Sequence, residues 1–229
     1  MNHDAEFSPL ARASSRSGKG AAMLNAPVGF AEPCPLDGTA EPNFTAPVNP
    51  ALARLCEALD AAFRAAAHAV EPSHSAEFAR RVRAALSQAA ADATLLAPAQ
   101  REGSADCYRR HLLAADPLGR YALVALVWQP GQASPAHAHH TWCGYAVIDG
   151  TLTETVYEWN EAAGCASESR THPRETGAVS YVRAGTTGIH KLGNCSAAPA
   201  VSLHLYGVPA TRIATHVNDL VRVEAGALL

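Results

Sequence analysis

The chain has 229 residues and a formal net charge of -3, with 18 Lys and Arg against 21 Asp and Glu. That length can bury a full core without staples, and so weak an acidic balance offers no basic stripe to neutralise phosphates, which argues against nucleic acid as a partner. The longest apolar run, Tyr121 to Trp128, is far too short to cross a bilayer, and the N-terminus lacks the apolar core of a signal peptide, so the expectation is a cytoplasmic protein with no membrane partner.

Residues 1–48 are rich in Ala, Ser, Gly and Pro, and Phe7, Phe30 and Phe44 are too scattered to define a packing face. A disordered tail is expected there. From Asn49 to about residue 102 the pattern is helical. Leu52, Leu55, Cys56, Leu59 and Phe63 recur at helical spacing behind an Asn49 cap and Pro50, predicting a helix to about Val70. Ser75 can cap a second helix with Phe78, Val82, Leu86 and Ala89 on one face.

Beyond Gly103 the period becomes alternating. Tyr108–Leu113, Tyr121–Trp128, Gly144–Ile148, Leu152–Trp159, Ala178–Val182 and Ala200–Tyr206 read as strands, with turns at Asp116-Pro-Leu-Gly119 and Asp149-Gly150. Residues 103–229 are therefore expected to form one mainly β unit, an antiparallel barrel or sandwich whose mouth could hold a small ligand. The cysteines at 34, 56, 107, 143, 165 and 195 show no close pairing, and all six are expected as reduced thiols.

His137 and His139 form a His-x-His pair, which on an extended segment puts both rings on one face, within reach of one ion. The surrounding frame is Gly131-x5-His137-x-His139-x3-Cys143-x6-Gly150, which resembles the first motif of the cupin family with Cys143 where a Glu ligand would stand. A third ligand is expected at His190, in Gly185-Thr-Thr-Gly-Ile-His-Lys-Leu-Gly-Asn194, which looks like the second cupin motif. Three neutral imidazoles without a carboxylate fit Fe(II) or Zn(II). The histidines His3, His68, His74, His111, His140, His172 and His216 read as ordinary surface or core residues. Ser202, His204 and Tyr206 alternate with apolar residues, so a strand would send all three polar groups to one face.

From Cys107 to Pro209 the chain resembles the cysteine dioxygenases, thiol dioxygenases of the cupin superfamily. The resemblance is carried by Tyr108-Arg-Arg110, His137 and His139, the stretch Cys143 to Trp159, His190 with Asn194, and Ser202-Leu-His-Leu-Tyr206. It implies a cupin-type, jelly-roll-like antiparallel β-barrel with an N-terminal helical segment. It also implies Fe(II) on His137, His139 and His190, with a hydrogen-bonded relay of Ser202, His204 and Tyr206 beside it. The substrates implied are a small-molecule thiol and O2, with L-cysteine oxidised to cysteine sulfinate and its carboxylate held by Arg110 with help from Tyr108. Arg109 would face the other way, toward solvent. In animal members a cysteine is joined by a thioether to the relay tyrosine, at positions that look like Cys143 and Tyr206. Here the spacer between His139 and Cys143 is one residue shorter, which leaves the bond open, and Gly207-Val208 stands where Ser-Pro commonly follows the tyrosine. Three rivals remain: a 3-mercaptopropionate dioxygenase, whose members look to carry Gln in place of Arg110, a three-His zinc cupin, and a non-enzymatic ligand-binding cupin.

Overall fold

A computed structural model describes residues 34–37 and 49–224 of the chain. Strand β1 (Leu36–Asp37) comes first, followed by helix α1 (Pro50–Ala65), where the Asn49 side chain accepts from the amides of Ala51 and Leu52. Leu52, Leu55, Leu59 and Ala62 form its buried stripe. The helix ends about a turn before Val70, because none of residues 67–70 is buried and nothing there compensates for ordering the backbone. In α2 (Ala76–Ala90), Ser75 caps by accepting from the Phe78 amide, and Phe78, Val82, Leu86 and Ala89 are buried.

The strands then follow in order: β2 (Arg109–Ala115), β3 (Ala122–Trp128), β4 (His137–His139), β5 (Cys143–Asp149), β6 (Thr151–Asn160), β7 (Cys165–Glu175), β8 (Val179–Val182), β9 (Gly185–Gly193), β10 (Ala200–Tyr206) and β11 (Asn218–Leu220). They form two facing sheets, ordered β1-β2-β3-β10-β5-β8 and β11-β4-β9-β6-β7. Every pairing is antiparallel except β1 with β2. The fold is thus mostly β with two helices, as expected.

The larger sheet is covered on both faces. Leu123, Ala125 and Val127 of β3 and Leu203 and Leu205 of β10 pack with the helices. Their neighbours Val124, Leu126, Trp128 and Tyr206 face the space between the sheets, where Leu152 and Leu192 of the smaller sheet meet them. Two-sided burial explains why β3 reads as an unbroken apolar run. Each buried Leu, Val or Phe on the helical face is worth roughly 1.5–3 kcal/mol, so α1 and α2 are held against the sheet. Gly144 marks the closest approach, since a Cβ there would come within 2.8 Å of Leu86 Cδ1. That glycine lies between Cys143 and Tyr145, whose side chains point the other way, into the interior. Among the described residues no helix is long and apolar enough to cross a membrane.

Several expectations need correction. Within residues 34–37, expected as part of the tail, Leu36 and Asp37 pair as β1 with Arg110 and His111; the remainder of the expected tail up to residue 48 lies outside the described residues. That pairing brings the Cα atoms of Cys34 and Cys107 to 5.4 Å, and the two are disulfide-bonded although 73 residues apart. Spacing along the chain holds no trace of a strand added in parallel. Cys56, Cys143, Cys165 and Cys195 are free thiols, as expected. Strand β7 was not anticipated, because its sequence is polar and contains Pro173. It is an edge strand, where a proline is tolerated and one flank faces water. The segment Gly185–Gly193, which carries His190, is strand β9.

Candidate metal centre

The three histidines meet because β4 pairs with β9, placing His137 directly across from His190. His139 shares the face of His137, and the three rings lie 4.8–5.3 Å apart between centroids. One nitrogen from each lies within 4.8 Å of the others, and all three side chains are buried. The Nδ1–H of His137 donates to the Pro135 carbonyl at 2.9 Å, and that of His190 to Glu154 Oε1 at 2.7 Å. In both rings this leaves Nε2 with a free lone pair toward the cluster. Buried His139 Nδ1 has no well-formed hydrogen bond. Burial, reinforced by the neighbouring His190, holds His137 down to about 3, and His139 is lowered for the same reasons. His137 and His139 are thus neutral imidazoles, and with His190 they form a donor set that fits a divalent ion such as Fe(II) or Zn(II).

The larger sheet supplies the facing wall. Ser202, His204 and Tyr206 of β10 all point inward, as their alternation predicted, and are hydrogen-bonded in series. Ser202 Oγ lies 2.8 Å from His204 Nε2, and His204 Nδ1 lies 3.3 Å from Tyr206 Oη. Trp128, unnoticed in the sequence, extends this chain. Its Nε1–H can only donate, and it donates to Ser202 Oγ at 2.9 Å. In the His204 tautomer protonated at Nδ1, Ser202 donates to His204 Nε2, and His204 Nδ1–H donates to Tyr206 Oη. The phenol proton is left over. Burial, helped by His190 and His137, holds His204 down to about 3, so one neutral tautomer satisfies both bonds. Burial raises Tyr206 well above the ordinary phenol value, which keeps that proton in place.

Cys143 and Tyr206 are cross-strand partners on β5 and β10, and the charge of Cys143 bears on Tyr206. Burial pushes the Cys143 thiol up to about 12. The two departures beside this pair have one explanation. Trp142 ends the shortened spacer, and its carbonyl accepts from the Gly207 amide at 3.0 Å. A Cβ at Gly207 would collide with the Trp142 indole, so a serine there would not fit.

Arg110 lies opposite Leu126 on the inward side of β2, and Arg109 opposite Val127 on the helical side. Arg109 is half-buried there, not fully in solvent. The Arg110 charge bears on both Tyr108 and Tyr206. Its Nε and Nη2 donate to the Cys34 carbonyl at 3.2 and 3.1 Å. A guanidinium has five donors, so the edge between Nη1 and Nη2 is still available. Tyr108 stacks on Trp128 with centroids 4.4 Å apart, and burial raises its phenol to about 12. Tyr108, Leu126, Trp128, His137, Cys143, Tyr145, His190, His204 and Tyr206 line one small pocket between the two walls.

Glu154 of β6 was missed by the sequence reading. It is buried, and besides His190 it faces His172 Nε2 at 3.3 Å and Arg174 Nε at 3.5 Å. Burial alone would raise its carboxyl, but the hydrogen bond and charge of His190 and the charge of Arg174 bring it below the usual range. Its phase with Leu152, two residues earlier on the core-facing side of β6, was the available signal. His172, expected to be an ordinary residue, belongs to this group. A second cavity of about 280 Å³ is lined by His139, His190, Cys143 and Tyr145 together with Glu154 and Arg174.

The sequence profile of the family described as cysteine dioxygenase type I matches residues 66–218. The chain is 33% identical over 95 residues to cysteine dioxygenase type 1 of Rattus norvegicus and equally to that of Homo sapiens, covering 40% of this chain and 46% of each relative. It is 32% identical over 98 residues to that of Danio rerio, covering 40% and 47%. The chain thus spans about half the length of the curated relatives it matches. Similar solved structures include a cupin-superfamily sugar phosphate isomerase from Silicibacter pomeroyi, at 22% identity, TM-score 0.32, covering 40% of this chain and 52% of that one. Another is oxalate decarboxylase of Bacillus subtilis, at 22% identity, TM-score 0.37, covering 46% and 27%.

Proposed function

The chain belongs to the cysteine dioxygenase type I family, and from that premise we propose that it is an iron-dependent thiol dioxygenase that oxidises L-cysteine to cysteine sulfinate. The observation that carries this reading is the convergence of three buried histidines opposite a phenol at the end of its own hydrogen-bonded relay. In balance, one thiol and one O2 give one sulfinic acid, both oxygen atoms ending on sulfur. His137, His139 and His190 would hold the ion, and bound Fe(II) would supply open coordination positions and electron-transfer capacity for O2 chemistry.

The chain's own residues then have separate tasks. The Nη edge of Arg110 binds the substrate carboxylate by a charge-assisted fork, and Tyr108 closes the same wall. Tyr206 donates its spare proton toward the reacting end of the substrate, held in aim by His204, Ser202 and Trp128. Leu126, Trp128 and Leu192 line the pocket and limit water. An acidic thiol near Tyr206 would titrate first and disturb this arrangement. Cys143 does not, because burial keeps it protonated.

A second reading, 3-mercaptopropionate as substrate, is favoured by one observation. The Nε edge of Arg110, the residue on which the preference for cysteine rests, is taken by the Cys34 carbonyl. The deciding experiment is anaerobic iron loading, exposure to air with each thiol, and product identification by mass alongside oxygen consumption. Cysteine sulfinate formed at the higher specificity constant supports the reading. Preference for 3-mercaptopropionate replaces the substrate, and no sulfinate from any thiol removes the dioxygenase assignment.

A further inference from the structure

We propose that Glu154 is a positioning residue for the metal centre: by accepting the Nδ1 proton of His190 it commits Nε2 to the ion and supplies, just outside the coordination sphere, the negative charge that three neutral imidazoles lack. The inference rests on the three histidines as metal ligands, and not on the identity of the substrate.

The geometry is asymmetric among the three ligands. His137 donates Nδ1–H to a neutral backbone carbonyl, and His139 Nδ1 has no well-formed acceptor. His190 alone donates to a carboxylate, at 2.7 Å, with both side chains buried. Such a partner fixes the ring's orientation and tautomer and makes the opposite nitrogen a stronger donor.

Glu154 is also held so that it cannot turn away. Its Cα lies across from Leu192 of β9 on one side and His172 of β7 on the other, so strands pin it from both flanks. Oε2 faces His172 and Arg174, leaving Oε1 to His190. The Arg174 guanidinium in turn lies over the Tyr145 ring, 5.4 Å from its centroid. A buried carboxylate is costly unless charged and hydrogen-bonding partners surround it. Here the partners form a chain from the edge strand to the metal ligand. The position where a first cupin motif would carry a Glu ligand holds Cys143, and Glu154 restores a carboxylate one bond farther out.

The test compares Glu154→Gln, which keeps an acceptor oxygen without the charge, with Glu154→Ala, which keeps neither. The exposed Glu158→Gln on the same strand is the control. Fe(II) and Zn(II) affinities are measured anaerobically against a competing chelator, and the iron midpoint potential by titration, both without substrate. Glu154→Ala should weaken metal binding by about ten- to a hundredfold. Glu154→Gln should lose less affinity but shift the potential positive, and Glu158→Gln should do neither. Nitrogen NMR of the Zn(II) form should show His190 protonated at Nδ1 in the parent. If Glu154→Ala fails to fold, the potential of Glu154→Gln decides alone. Parental affinity and potential in Glu154→Gln, or identical losses in the two variants, would overturn the proposal. A protein that shows the graded effect yet oxidises no thiol would leave this inference standing and sink the dioxygenase reading.

Discussion

The two walls of the site are built differently. The relay wall comes from a single strand, β10, in which Ser202, His204 and Tyr206 follow one another at every second position. The histidine wall is assembled from four strands, with His137 and His139 on β4, His190 on β9, Glu154 on β6, and His172 and Arg174 on β7. A strand's own period organises the first. Register between strands organises the second, so the histidine wall depends on the whole core that sets that register. One wall should therefore fail locally and the other as a unit, and this contrast can be broken or sharpened by substitution.

The largest effect is expected from the histidine wall. His137→Ala, His139→Ala and His190→Ala should each lose most bound iron and with it turnover, read by metal analysis and oxygen consumption on anaerobically loaded protein. Full iron and full turnover in all three variants would show the ligand set to be wrong.

Arg110→Gln acts beside the relay wall without touching the ligands. Loss of a charged fork costs about 1.5–3 kcal/mol, so the specificity constant for cysteine should fall by roughly ten- to a hundredfold. Iron content should stay at the parental level. Unchanged cysteine kinetics would remove Arg110 from substrate recognition.

Ser202→Ala tests the relay as a local device. It leaves the Trp128 indole N–H and His204 Nε2 without partners in a buried place, which should cost about 1–3 kcal/mol in urea unfolding. Because no ligand is involved, metal affinity should be kept. A variant that loses iron as well would mean that the two walls are one coupled network.

The pH dependence of stability carries a signature of the same wall. His204 titrates near 6.5 when unfolded and near 3 when folded, so between those values the unfolded chain binds the extra proton. Its contribution is complete above about pH 6.5 and declines as pH falls toward 3, by up to ~1.4 kcal/mol per pH unit. Urea titrations from pH 7 to 4 should show a shallower acid limb in His204→Gln than in the parent. Equal slopes would contradict a buried neutral imidazole.

The smallest change concerns Cys143 and Tyr206, a cross-strand pair at the end of the relay wall. Any thioether between them should appear as an intact mass lighter by a pair of hydrogens and as a joined peptide pair. Cys143→Ser should remove that species and leave turnover measurable. A joined peptide persisting in the variant would implicate another cysteine.

The sequence by itself determined whatever repeats at short range along the chain. The two capped amphipathic helices, the alternation at 202, 204 and 206, and the His-x-His pair each depend on neighbours two to four residues away, so their physical signal is local. Most strands were legible for the same reason, while β7 was not, because an edge strand half in water needs no apolar run. Tertiary structure alone decided which strands lie side by side. Glu154 reaches His190 across 36 residues, Trp128 reaches Ser202 across 74, and Cys34 joins Cys107 across 73. Those pairs meet because two helices and two sheets bury their apolar faces in one register. No residue among them carries that register alone.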